Sequence, residues 1–170
     1  SIKQAAEFGI TQGGQKLAGL LVFLPDVHGL GLDKAQGLNV TETFYWDLND
    51  GTRAWTKRFM AAHGGKPPSS VHAGVYASVL HYLKAVDAAK TDDGTKVVAK
   101  MKELPTDDPL FGKGTIRADG RKLHPAYLFE VKKPSESKAP FDYYKVVATI
   151  PAEQAFRPLD QGNCPLVAKK

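Results

Sequence analysis

The chain has 170 residues, 42% hydrophobic and 24% charged, the size and composition of one globular domain. Its formal net charge of +5 is spread over lysines interleaved with acids, with no block of like charge, so the pattern speaks against nucleic-acid binding. No apolar run approaches the roughly 20 residues of a membrane helix, and the single cysteine, Cys164, has no partner within the chain.

Ile2, Ala5, Ala6 and Phe8 share one helical face, and Gly9 stops that helix. The helix begins without a capping residue, which suggests a truncated start, so the missing signal peptide carries no message about compartment. Leu17 to Leu24 is continuously apolar and reads as a strand buried on both faces, ended by Pro25. Asp26, Val27 and His28 then stand on a glycine-broken loop at the lip of a sheet. In open α/β sheets, ligands bind at the carboxyl ends of the strands. Asp33 to Gln36 reads as one helical turn. Leu38 to Trp46, rich in β-branched and aromatic residues, reads as a second strand.

Asn49 or Asp50 caps a helix running to Ala62, with Trp55 and Phe59 inward and Gly64 at its end. The stretch from Gly64 to Ser70, GGKPPSS, is a connector or hinge. Ser70 caps the longest helix, 71–89, whose stripe of Val71, Val75, Val79, Leu83 and Val86, widened by Ala73, Tyr76 and Leu80, is expected to pack inward. A further helix follows Asp92 or Asp93 and ends at Pro105, with Val97, Val98, Met101 and Leu104 inward. Residues 107–122 are irregular, with a tight turn at Ala118-Asp119-Gly120. Two strands, 126–132 and 142–150, flank a polar Pro/Ser loop, and a proline-rich tail follows. The succession predicts an α/β fold with an antiparallel addition.

Catalytic signatures are missing. There is no G-x-S-x-G elbow and no histidine pair at metal-binding spacing. Gly29-Leu30-Gly31 begins like a dinucleotide fingerprint, but Lys34 stands where its third glycine belongs. Asp92-Asp93 and Asp107-Asp108 read as capping and turn residues. What remains is a binding lip with one carboxylate, one imidazole and nearby aromatic residues, suited to a small polar or aromatic ligand. Trp46 reads as core. Asp26 reads equally as a turn residue or a ligand contact.

LPDVHGLGLDKAQGL, TFYWDLNDGTRAWTKRF, SSVHAGVYASVLHYLKAVDAA and GTIRADGRKLHPAYLFEVKKP, in that order, resemble the C-terminal part of branched-chain amino acid (Leu/Ile/Val) type substrate-binding proteins of ABC transporters. The resemblance implies a two-lobed type I periplasmic binding fold, with parallel-sheet lobes flanked by helices and closing on a ligand. It maps 1–68 to a second-lobe segment, 69–124 to a returning first-lobe segment, and 125–170 to the final second-lobe segment and tail. GGKPPSS and the HPAY stretch, 124–127, would lie near hinge crossings.

The implied function is a periplasmic solute-binding component, not an enzyme. It would need no cofactor and would bind an amino acid-like, amide or aromatic acid ligand. Its implied partners are that small molecule, a membrane permease and a missing N-terminal half of the same protein, with which Cys164 would be free to pair. Nucleic acid is not among them. The resemblance carries ligand contact to Asp26, followed along the cleft wall by Val27 and His28, and to His72 and Tyr76 near the start of the returning helix. Asp26 would take a ligand ammonium group. Two alternatives remain: a small hydrolase or lyase using Asp26 and His28 as an acid–base pair, and an intracellular ligand sensor of the same fold.

Overall fold

Val40 and Phe129 face each other across the middle of a four-stranded sheet, and both are fully buried. The computed structural model describes residues 1–167. Contacts divide the chain into two compact units: Ser1–Ser70 with Ala126–Thr149, and Val71–Pro125 with the stretch from Ile150 onward. The chain thus crosses from one unit to the other at 70/71, 125/126 and 149/150. The first two crossings fall at GGKPPSS and HPAY. The stretch after Thr149 belongs with Val71–Pro125, whereas the sequence mapping kept 125–170 together.

The first unit holds the sheet, ordered β1-β2-β5-β6. The strands are β1 (Ala18–Gly19), β2 (Asn39–Glu42), β5 (Ala126–Val131) and β6 (Tyr144–Ile150), the last ending at the 149/150 crossing. β1 and β2 are parallel, and β2 and β5 are antiparallel, so the sheet is mixed and carries the expected antiparallel addition. Helices α1 (Ile2–Glu7), α2 (Leu24–Leu30), α3 (Leu32–Ala35) and α4 (Asp50–Ala62) complete the unit. Its core gathers Leu24, Val27, Ala35, Leu38, Val40, Tyr45, Phe129, Val131 and Tyr144. Asn49 caps α4 reciprocally: Thr52 N–H donates to Asn49 Oδ1 at 3.0 Å, and Asn49 N–H to Thr52 Oγ1 at 3.0 Å.

The apolar run Leu17–Leu24 does not form one strand. Only Ala18 and Gly19 pair, Leu20 and Leu21 are exposed, and Leu24 already begins α2. Pro25 sits in the first turn of that helix, where its missing N–H costs nothing, so it opens a helix rather than merely closing a strand. Likewise Leu38–Trp46 contributes only four paired residues, after which Phe44 and Tyr45 turn into the core.

The second unit holds most of α5 (Ser70–Ala89), together with α6 (Gly94–Glu103), the hairpin β3–β4 (Thr106–Asp108 and Gly112–Gly114) and α7 (Ala152–Ala155). Asp93 caps α6 through the Lys96 amide at 3.0 Å. Asp108 Oδ1 accepts the Leu110 and Phe111 amides, and Lys122 Nζ reaches its Oδ2 at 2.7 Å. A turn closes at Gly120, whose φ of 83° suits glycine, bridging Ile116 to Lys122.

The buried face of α5 is not the valine stripe. Ala73, Ala77, His81 and Ala85 are buried, while Val71, Val75, Val79 and Leu83 are each more than half exposed. The two stripes are offset by two residues, roughly opposite faces of a helix with about 3.6 residues per turn. On that buried face His81 Nε2 donates to the Met101 carbonyl at 2.8 Å. On α6, Val97 is buried and Val98 is exposed, against the expectation that both point inward.

Candidate functional site

β1 and β2 run parallel, so their carboxyl ends open on the same side of the sheet. Asp26 follows β1 and Glu42 ends β2. Asp26 occupies the third position of α2, where its Oδ2 accepts the Phe23 amide at 2.8 Å and its carboxylate stays exposed. It therefore stands on the first turn of a helix and not on a loop. The lip exists, but a helix builds it.

Val27 is a correction. It is 0% exposed and belongs to the hydrophobic core, so it presents nothing to a ligand. A helix turns each residue about 100° from the last, which sends Val27 inward while Asp26 faces out. His28 is exposed, yet its ring is committed elsewhere. Nδ1 lies 2.8 Å from the Tyr143 hydroxyl, and the ring stacks on Phe141 with centroids 4.2 Å apart. Asp26 and His28 each bond to a different partner and do not form an acid–base pair; residues two apart on a helix do not face each other.

His72 and Tyr76 stand one turn apart on α5, in the second unit, His72 exposed and Tyr76 half-buried. The structure thus groups Asp26 with other residues of the first unit. Those residues escaped the sequence reading.

Glu42 is 4% exposed. Ser70 Oγ donates to its Oε2 at 2.6 Å. The buried Tyr144 hydroxyl faces it without closing an aligned hydrogen bond, and Glu42 Oε1 likewise lacks a partner. Burial pushes the Glu42 carboxyl up to about 7, against the pull of Ser70 and Tyr144, and the Asp26 charge adds to the rise. Burial and the neighbouring Glu42 push the Tyr144 phenol up as well. Alternation along the strand was the available signal. Glu42 lies two residues beyond the core Val40 and so shares its inward face.

The arrangement is a negative corner: an exposed carboxylate beside a buried carboxyl, with hydroxyl groups around the latter. It can accept hydrogen bonds and favours a positively charged group. Among the described residues, no group of three or more His, Cys, Asp or Glu is placed to hold a metal ion. No described helix is long and apolar enough to cross a membrane. Cys164 is half-buried and forms no disulfide among the described residues.

The sequence matches the periplasmic binding protein family over residues 1–138. No curated protein sequence matches the chain. Among solved structures, a periplasmic binding protein of Burkholderia mallei is similar at 53% identity and a TM-score of 0.89, over 97% of this chain and 43% of that one. A branched-chain amino acid ABC transporter periplasmic ligand-binding protein of Burkholderia xenovorans is similar at 44% identity and a TM-score of 0.88, over 97% of this chain and 44% of that one. An ABC-transporter solute-binding protein of Rhodopseudomonas palustris in complex with 3,4-dihydroxybenzoic acid shares the fold at 20% identity and a TM-score of 0.72, over 89% of this chain and 41% of that one. The chain thus spans less than half the length of these relatives.

Proposed function

The chain belongs to the periplasmic binding protein family, and from that premise we propose that it is the C-terminal part of the extracytoplasmic solute-binding component of an ABC importer. Its ligand is a small amino acid-like molecule, with amides and aromatic acids as the neighbouring classes, bound by two lobes that close on it. The observation that carries the ligand reading is Asp26: an exposed, helix-anchored carboxylate at the carboxyl ends of the parallel strands, beside a second carboxyl. In this reading Asp26 takes the ligand's ammonium group in a charge-assisted pair. His72 and Tyr76 supply further contacts from α5.

The protein works in the periplasm and delivers its ligand to a membrane permease. Its other half supplies the rest of the first lobe. Two observations support that half: the chain spans 43% of its Burkholderia mallei relative, and the Val71, Val75, Val79, Leu83 stripe of α5 is left uncovered. The enzyme reading loses its proposed pair, because Asp26 and His28 are bonded to different partners.

A thermal-shift screen of the full-length protein against amino acids, amides and aromatic acids tests the proposal, since binding to the native state raises apparent stability. The expected result is a shift with a ligand bearing an ammonium group, lost in Asp26→Asn, which retains an acceptor for the Phe23 amide. An equal shift in the variant overturns the role of Asp26, and no shift with any class overturns the transport reading.

A further inference from the structure

We propose that Phe156, held by Arg121 and His124, clasps the second and third crossings together, so that they move as one ribbon. In the first unit the two crossings are already neighbours. β5 begins at the 125/126 crossing and β6 ends at the 149/150 crossing. The strands lie side by side in the sheet. They are tied again at their far ends, where the Lys132 amide donates to the Tyr143 carbonyl at 2.7 Å and Lys145 Nζ pairs with Glu130 at 2.8 Å. Strands paired in a sheet can still splay once they leave it. Contacts inside the second unit prevent that here.

There, residues just before one crossing meet residues that follow the other. His124 precedes β5, and Phe156 follows β6 by way of α7. Their rings meet edge to face, with centroids 5.1 Å apart and planes 89° apart. Arg121 Cζ lies 5.3 Å from the Phe156 centroid, a cation on the negative face of the ring. The Arg157 carbonyl accepts Arg117 Nη1 at 3.0 Å. The side that receives Phe156 is well braced. The Arg117 amide donates to the Arg121 carbonyl and the Leu123 amide to the Thr115 carbonyl, each at 2.9 Å. Asp119 fixes the Arg117 guanidinium by two bonds, Nε to Oδ1 at 3.2 Å and Nη2 to Oδ2 at 2.6 Å. Phe111 supports His124 from another side, centroids 5.0 Å apart, and His124 Nδ1 donates to the Pro125 carbonyl at 2.9 Å. Burial, with the charges of Lys122 and Arg121, holds the imidazole below its ordinary value, against the Pro125 bond and Asp108. The ring is therefore neutral at neutral pH and sits beside Arg121 without repulsion. A ribbon fastened in both units bends as a whole. Its use as a hinge rests on the two-lobed reading proposed above.

Hydrogen-exchange mass spectrometry of the full-length protein without solute tests the clasp, so the result does not depend on what the protein binds. Phe156→Ala should raise exchange at least several-fold in both 150–157 and 121–126, with α6 and the β3–β4 hairpin unchanged. Phe156→Tyr keeps the ring and should match the parent in both segments. Arg121→Gln changes an exposed side chain and should give a smaller rise, again in both. A rise confined to 150–157 overturns the clasp. Electron-spin distance measurement between labels at positions 57 and 96, one exposed site in each unit, tests the hinge role. The distance distribution should broaden in Phe156→Ala and in Arg121→Gln. An unchanged width beside a joint rise in exchange overturns the hinge role and leaves the import reading standing, whereas failure of the solute screen leaves the clasp standing.

Discussion

The hydroxyl of Tyr45 donates to the main-chain carbonyl of Phe141 at 2.9 Å, and the same oxygen accepts the Tyr143 amide at 3.1 Å. Phe141 has a φ of 69°, a left-handed conformation that a non-glycine residue adopts only when its surroundings hold it there. Trp46 Nε1 donates to the same carbonyl at 2.9 Å, and His28 stacks on the Phe141 ring. Tyr45→Phe removes both hydroxyl bonds and leaves a part-buried amide without that acceptor. The expected loss of stability is about 1–3 kcal/mol, read by urea denaturation, with the His28 ring signals shifted because their support moves. A variant as stable as the parent would show that Trp46 alone holds the turn.

The pH dependence of stability follows from Glu42. Its folded-state value is about 7 against an ordinary 4.5. Below pH 4.5 the carboxyl is protonated in both folded and unfolded chains and adds no slope. Between 4.5 and 7 the folded chain keeps a proton that the unfolded chain releases, so stability falls as pH rises. Above 7 the contribution levels off. The full change is on the order of 3 kcal/mol, because each tenfold gain in proton affinity on folding is worth about 1.36 kcal/mol. Denaturation midpoints measured from pH 4 to 8 should fall with rising pH in the parent, and Glu42→Gln should remove that part of the slope.

The local chemistry of the sequence was legible and the long-range choices were not. Of the paired candidates Asn49 or Asp50 and Asp92 or Asp93, Asn49 and Asp93 do the capping, and the Asp119-Gly120 turn closes as its residues dictate. Each of these involves partners within a few residues. Leu17–Leu24 reads as a single strand because a continuous apolar run has no period to separate strand from helix, and because proline ends one element as readily as it starts another. Asp26 was found as a candidate, but its helical setting was missed, and with it the inward turn of Val27. Strand alternation points Glu42 inward, but its partners Ser70 and Tyr144 lie 28 and 102 positions away and no local pattern announces them.

Asp26 and Val27 are adjacent in sequence and opposite in role, which makes them a matched pair. Val27→Ala deletes methyl groups from a fully buried site and should cost about 1–3 kcal/mol, with ligand affinity of the folded protein unchanged. Asp26→Asn should leave stability within about 1 kcal/mol, because the Phe23 amide keeps an oxygen acceptor, while affinity for an ammonium-bearing ligand falls at least tenfold. Calorimetric titration alongside chemical denaturation separates the two. If Val27→Ala weakens binding as strongly as Asp26→Asn, the core assignment of Val27 does not describe its role.

The two faces of α5 make the last contrast. Ala77 lies on the buried face and is only 4% exposed. Ala77→Leu inserts three extra carbons there and should destabilise the second unit by about 1–3 kcal/mol. Val75 and Val79 lie on the exposed stripe. In the chain alone, replacing both with lysine should leave helicity intact and reduce self-association, because it breaks up an exposed apolar patch. In the full-length protein the same double substitution should destabilise, because the proposed remainder of the first lobe packs on that stripe. Circular dichroism and sedimentation of both forms check this. Equal tolerance in chain and full-length protein would mean that the stripe faces water in both, and that the absent half packs elsewhere.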